Sequence, residues 1–516
     1  MIWTPLACCL VALSGVLSTP MSQAQTPDAA FHPAIPRTWN DSEMAALELP
    51  LADAVASPKH VNSDYYYKIP VRPIYRQYPV YAPGSGPPGY IEWLRRQEPE
   101  IIWGEDKNGR QHTPPLQTRA DWLRAGEIVF DSVLGSLPFS DKELAGMGEY
   151  IAKRGIPLAH DGSIAIFDFR ILEKGKIEMG TGSCKSCHAR LMPDGTISKG
   201  AQSNFPFDRI FAEDVRAGLR GSLPAVQFLE RALFAQPWRR PDSIDSLLGS
   251  VEKVASVHEA IPPGVIARHR SSPFYPVQVP DLIGVKDRKY LDHTGLQLHR
   301  SIADLMRYAA LNQGADSLAS FNGFIPLGGP NFDVLPEPAN QPVQRYSDEQ
   351  LYALSMWLYS LKPPANPDPG PQTLVGKGQK VFERESCGGC HTPPLYTNNK
   401  LTPAKGFEVP DIHKSRYDIL PVVVGTDPHL AMKTRRGTGY YKVPSLRGLW
   451  YRGPFEHSGS VATLEDWFDA RRLRDDYVPT GFKGYDVKTR AVPGHEFGLK
   501  LNAADKRALI AFLRRL

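Results

Sequence analysis

Two short stretches hold the residues most able to do chemistry: Cys184-Lys185-Ser186-Cys187-His188 and Cys387-Gly388-Gly389-Cys390-His391. Two thiols at this spacing, with a histidine directly after the second, form the arrangement that attaches a c-type haem. The thiols add to two vinyl groups of one porphyrin, and the histidine then lies under the iron as its proximal ligand. The other cysteines, Cys8 and Cys9, lie near the N-terminus, so every later cysteine belongs to one of the two motifs. A zinc site explains this less well, because the motifs stand far apart and zinc needs no histidine at that place. A thioredoxin-like disulfide is weaker too, because neither motif sits in a clear βαβ context. The sequence therefore predicts two covalently bound haem c groups. Cys184, Cys187, Cys387 and Cys390 are the attachment points, and His188 and His391 the proximal ligands.

The segments that must position these motifs repeat. Gly376-Lys377-Gly378-Gln379-Lys380-Val381-Phe382 runs into the second motif, and Leu123-Arg124-Ala125-Gly126-Glu127-Ile128-Val129-Phe130 is its counterpart before the first. Residues 131–180 read as an insertion between that counterpart and its motif. Each half closes on an apolar helix. The first opens on the capping box Ser347-Asp348-Glu349-Gln350 and carries Leu351, Leu354, Trp357, Leu358 and Leu361. The second is capped by Asn502 and carries Leu509, Phe512, Leu513 and Leu516. Pro363-Pro364 ends the first, and a proline-rich run follows to Thr373. The expected fold is mainly α: two c-type cytochrome-like helical haem domains in tandem, with large loop-rich insertions and an N-terminal extension. The boundaries are 1–24 signal peptide, 25–120 extension, 121–365 first haem domain and 366–516 second haem domain. The extension is rich in Tyr and Pro and reads as a segment wrapping the haem domains.

The chain has 516 residues, 42% of them hydrophobic and 22% charged, an ordinary globular balance. Its net charge of +5 is too small an excess to argue for nucleic acid. An apolar run from Leu6 to Leu17, followed by Ser22-Gln23-Ala24, reads as a cleaved export signal. No later stretch is long and apolar enough to span a bilayer. The expected location is periplasmic or secreted, with no integral membrane segment after cleavage.

The text Val443-Pro444-Ser445-Leu446-Arg447, continuing to Pro454-Phe455-Glu456-His457-Ser458-Gly459-Ser460, resembles a signature of the bacterial dihaem cytochrome c peroxidase superfamily. Gly494-His495-Glu496-Phe497-Gly498 and Arg300–Ala310 are similar to its rubber-oxygenase-like branch, which the chain resembles most within residues 120–516. The sixth ligand of each iron decides what it does: a second strong ligand makes an electron carrier, an open position binds peroxide or O₂. Met432, His457 and His495 are candidates at the second haem. The resemblance favours His495, with His457 read as a hydrogen-bonding residue. At the first haem His258, His269, His293, His299 and Met306 remain open. The resemblance makes that haem the reactive one, with Phe321 and Phe324 as candidates to cover an apolar distal face. Arg447 is a candidate bidentate partner of a haem propionate. Trp357 and Trp450 are candidates to lie between the haems.

Three function classes follow. The first is an exported oxidoreductase whose first haem binds H₂O₂ or O₂ and whose second transfers electrons, either peroxidase-like or as a dioxygenase. Its partners would be a small cytochrome donor or a hydrophobic organic substrate. The second is a non-catalytic dihaem electron carrier. The third, a structural protein that uses haem only to fold, is an elaborate solution for a chain this long. The extra fold around the first motif favours the enzyme.

Overall fold

A computed structural model of the chain describes residues 29–239, 242–326 and 344–516. The expected signal sequence, with Cys8 and Cys9, lies outside the described residues. Among the described residues, no helix is long and apolar enough to cross a membrane.

Two helix pairs organise the molecule, and they are built alike. The Arg119–Asp131 helix starts on a Thr118/Asp121 capping box and crosses the Asp348–Ser360 helix, which starts on the expected Ser347/Gln350 box. The Gln372–Arg384 helix crosses the Ala503–Arg515 helix, whose N-cap Asn502 accepts from the Asp505 amide at 2.9 Å. A glycine sits at each crossing. A Cβ on Gly126 would lie 2.1 Å from the Ala353 carbonyl oxygen, and one on Gly378 would lie 1.9 Å from that of Ala508. One turn later an aromatic pair closes each contact: Phe130 on Trp357 at 4.5 Å and Phe382 on Phe512 at 5.3 Å between centroids. Each buried ring contributes roughly 1.5–3 kcal/mol through the apolar surface it removes from water.

A mainly-α class does not describe this chain. The structure is 35% helical and 15% strand, and its strands form many small antiparallel sheets. The largest has four strands, in the order Gln77–Tyr81, Ser163–Glu173, Lys176–Thr181, Gly135–Pro138. Three of the four come from the segment 131–180 that the sequence presents as an insertion, and the fourth from the N-terminal segment. Ser163-Ile-Ala-Ile-Phe-Asp-Phe-Arg-Ile-Leu-Glu173 is dense in β-branched and aromatic residues, which favour a pleated surface. It is buried on both faces, so it lacks the polar–apolar alternation that marks a half-exposed strand.

Residues 29–118 run across the rest of the fold. The amides of Leu49, Val61 and Arg72 donate to the carbonyls of Leu296, Leu318 and Arg345. Trp39 stacks on Tyr66 at 4.3 Å in the core that also contains Phe130 and Trp357.

Candidate functional site

The sheet holds the first motif. The short helix Cys184–His188 is capped by Ser183, and both residues between its cysteines are tied to one strand. Ser186 donates from Oγ to the Ile166 carbonyl at 3.3 Å, and the Lys185 ammonium pairs with buried Asp168 at 2.5 Å. Cys184, Cys187 and His188 thereby face a cavity of about 470 Å³, lined among others by Phe130, Ile166, Phe207, Leu305 and Leu358. Nδ1 of His188 lies 3.0 Å from the Pro280 carbonyl. A carbonyl can only accept a hydrogen bond, so Nδ1 carries the proton and Nε2 keeps its lone pair. Burial, reinforced by Arg268, pushes this imidazole down to about 3, so it is neutral at working pH.

The second motif follows the Gln372–Arg384 helix directly. Nδ1 of His391 lies 3.2 Å from the carbonyls of both Tyr396 and Pro444, which fixes the same tautomer. Across from it stands His495, with ring centroids 6.3 Å apart. Two metal–imidazole bonds of about 2.0–2.1 Å each, plus the two ring radii, make about 6.4 Å. The pair therefore has the span of two imidazoles on one metal. His495 packs on Trp467 and Phe497, at 5.1 and 5.3 Å. Its backbone is held by Val424, whose carbonyl accepts from the His495 amide, and by buried Arg472, which donates to the His495 carbonyl at 2.8 Å. Its Nδ1 is buried without a hydrogen-bond partner. Burial, reinforced by His391, pushes His495 down to about 3, again the neutral form that binds metals.

The thiols do not have the activation of a redox pair. Burial pushes Cys187 and Cys387 up to about 11, so both are protonated at neutral pH. A redox-active C-x-x-C cysteine is activated in the opposite direction. Among the described residues, no group of three or more His, Cys, Asp or Glu is arranged to hold a bare metal ion.

The other candidates separate by geometry. Both ring nitrogens of His457 are engaged, Nδ1 by Glu456 and Nε2 by the Tyr441 hydroxyl at 3.0 Å. Met432 packs on the same apolar cluster as Cys187, on the first site's side. His299 uses Nδ1 on the Arg288 carbonyl and Nε2 on the Tyr359 hydroxyl, both at 2.6 Å. His293 bonds the Gln278 carbonyl, and Met306 is buried in the main core. His258 and His269 do line the cavity.

Neither Phe321 nor Phe324 lines that cavity. Phe321 is drawn away by the pairing of its strand with Pro58–His60, and it is fully buried in a separate cluster with Leu51, Ala56 and Leu296. The guanidinium of Arg435 stands over both rings, 5.1 Å from Phe321 and 5.5 Å from Phe324. Arg447 is exposed and offers its carbonyl to Arg452, so the inward-facing arginine of this stretch is Arg452. Trp357 belongs to the helix crossing, and Trp450 donates to the Pro364 carbonyl at 3.2 Å.

One group was not legible beforehand. His258 is clamped between two carboxylates on the cavity wall, Nδ1 to Asp208 at 2.6 Å and Nε2 to Glu230 at 3.0 Å, and all three are buried. Burial opposes a charge on the ring, but Glu230 and Asp208 outweigh it and push His258 up to about 10. An unfolded histidine holds its proton only to about 6.5. The clamp thus contributes fully below about pH 6.5, and its contribution is lost as the pH climbs toward 10. Thermal melts should show stability falling across that window. His258→Gln should flatten the fall and cost about 3 kcal/mol at pH 6, because it leaves buried carboxylates unpaired. An unchanged pH profile in the variant contradicts this.

No family model matches the chain, and no curated protein matches it. Among solved structures, it is similar to hydrazine synthase from Kuenenia stuttgartiensis, with 15% identity and a TM-score of 0.26, over 59% of this chain and 92% of that one. It is also similar to a MauG-like protein associated with microbial copper homeostasis, with 17% identity and a TM-score of 0.27, over 46% of this chain and 73% of that one. Scores this low establish neither a shared fold nor a shared activity.

Proposed function

We propose that the chain is an exported dihaem c-type oxidoreductase, whose first haem binds H₂O₂ or O₂ and whose second transfers electrons. The observation that carries this reading is the contrast between the two motifs. His391 faces a second imidazole at 6.3 Å, whereas at the first site both nitrogens of His258, a histidine of the cavity wall, are already held by Asp208 and Glu230. Such a difference suits one saturated iron and one with room for a small oxidant. The motifs, the signature around Pro444–Ser460 and the resemblance to the dihaem peroxidase superfamily and its rubber-oxygenase-like branch point the same way.

Bound haem supplies an iron that exchanges single electrons and takes a small oxidant at an open position. The chain's own residues do the rest. Cys184 with Cys187, and Cys387 with Cys390, would each hold one porphyrin through their two thiols. The Pro280 and Pro444 carbonyls accept from Nδ1 of His188 and His391, which orients both rings and strengthens Nε2 as a donor. Phe130, Ile166, Phe207, Leu305 and Leu358 make much of the first cavity's wall apolar. His258 and Glu230 hold a proton on its wall, where cleavage of an O–O bond would use one.

Haem content tests the assignment directly. Pyridine haemochrome and intact mass should give two covalent haems per chain. The Cys184→Ala/Cys187→Ala and Cys387→Ala/Cys390→Ala proteins should each lose one. A wild-type protein without covalent haem contradicts the proposal.

A further inference from the structure

Between the two motifs lies a second, smaller cavity of about 40 Å³. Its wall includes both Pro280 and Pro444, whose carbonyls hold His188 and His391. Three cationic side chains also line it: Arg288, Lys442 and Arg452. Arg288 and Lys442 line the large cavity as well, so the two spaces share that wall.

The charges here do not balance. Arg288 donates to the backbone carbonyls of Asp281 and Ile283, the latter at 2.7 Å. Arg452 donates to the carbonyls of Ser445 and Arg447, at 2.8 and 3.3 Å, and its buried Nε has no partner. Carbonyls satisfy hydrogen bonds but cancel no charge. The one carboxylate on the wall is Asp281, and it accepts from the Ile283 amide and the Tyr451 hydroxyl, at 2.9 and 2.7 Å. Burial beside Arg288 and Arg452 pushes Lys442 well below the usual lysine range, so three cations against one carboxylate persist here only with a counter-anion, because an uncompensated buried charge is strongly unfavourable. The space has room for a carboxylate group or a few waters.

We propose that this cavity is a carboxylate site formed by Arg288, Lys442 and Arg452, and that one propionate of the first-site haem would fill it from the side the two cavities share. The inference rests on the dihaem reading. It moves the propionate partner from exposed Arg447 to three residues held inside. It also gives them a second effect: positive charge beside the propionates favours the reduced iron.

The test is spectroelectrochemistry of the purified full-length protein carrying its haems, comparing Lys442→Gln and Lys442→Arg with wild type. Lys442→Gln should lower the midpoint potential of the first-site haem more than that of the second, with two covalent haems retained. Lys442→Arg, which keeps the charge, should stay near wild type. An unmoved first-site potential in a Lys442→Gln protein that still carries two haems overturns this inference and leaves the dihaem reading intact. A wild-type protein without haem overturns both. A wild-type potential that shifts as acetate is added shows that a free carboxylate fills the cavity, and overturns the propionate assignment.

Discussion

On the proposed dihaem reading, His495→Gly should convert one haem from low-spin to high-spin and leave the other unchanged. Glycine is the apt replacement because His495 has a φ of 47°, a left-handed backbone that an added alanine would strain. The variant removes the imidazole that faces His391 while sparing the loop held by Arg472 and Val424. Added imidazole should restore the low-spin spectrum, because the space vacated fits that molecule. His457→Gln should leave the spectrum as it is, since both nitrogens of that ring are already committed to Glu456 and Tyr441. EPR and optical spectra of the two variants check this. A low-spin spectrum that survives in His495→Gly, or disappears in His457→Gln, contradicts the ligand assignment.

The second large effect is on stability. Gly378→Ala should destabilise the chain by about 3 kcal/mol, the upper part of the usual range for overpacking. The new methyl carbon would sit 1.9 Å from the Ala508 carbonyl oxygen and 2.7 Å from Cβ of Phe512, so the helices must part. A backbone carbonyl in a helix cannot swing aside as a flexible side chain can. Gly126→Ala meets the matching obstacle at Ala353 and Trp357 and should cost a similar amount. Gly376→Ala, in the same helix as Gly378, is the control. Its Cβ would have no atom within 4 Å, so alanine should stabilise the helix by about 0.5–1 kcal/mol. Differential scanning calorimetry of the three variants should show melting temperatures moving in opposite directions. A Gly378→Ala protein as stable as Gly376→Ala contradicts the crossing described here.

These two cases also show what a sequence makes legible. The two C-x-x-C-H motifs are local, so Cys184–His188 and Cys387–His391 stand out directly from their spacing. The helix crossings are legible through repetition, since Gly126 with Phe130 and Gly378 with Phe382 occur in matching text. His495 could be singled out only through a family resemblance, because nothing local separates it from His457. The four-stranded sheet escaped notice because its central strand is buried on both faces and carries no alternation, though its run of Ile and Phe was a usable signal. The His258 clamp joins three separate helices, and no one-dimensional pattern brings Asp208, Glu230 and His258 together. Arg447 and Arg452 look alike in the sequence, and only the turn between them decides which points inward. Phe321 and Phe324 follow a helix that borders the cavity, yet strand pairing with the N-terminal segment carries them away from it.

The proposed function requires two irons that are unlike. EPR of the protein as isolated, followed by optical titration with H₂O₂, tests it most directly. The proposed function predicts one low-spin ferric signal from the His391/His495 site, and a second species at His188 whose spectrum changes with peroxide or O₂. Two low-spin irons in both oxidation states, neither responding to oxidant, would contradict it and make the chain an electron carrier.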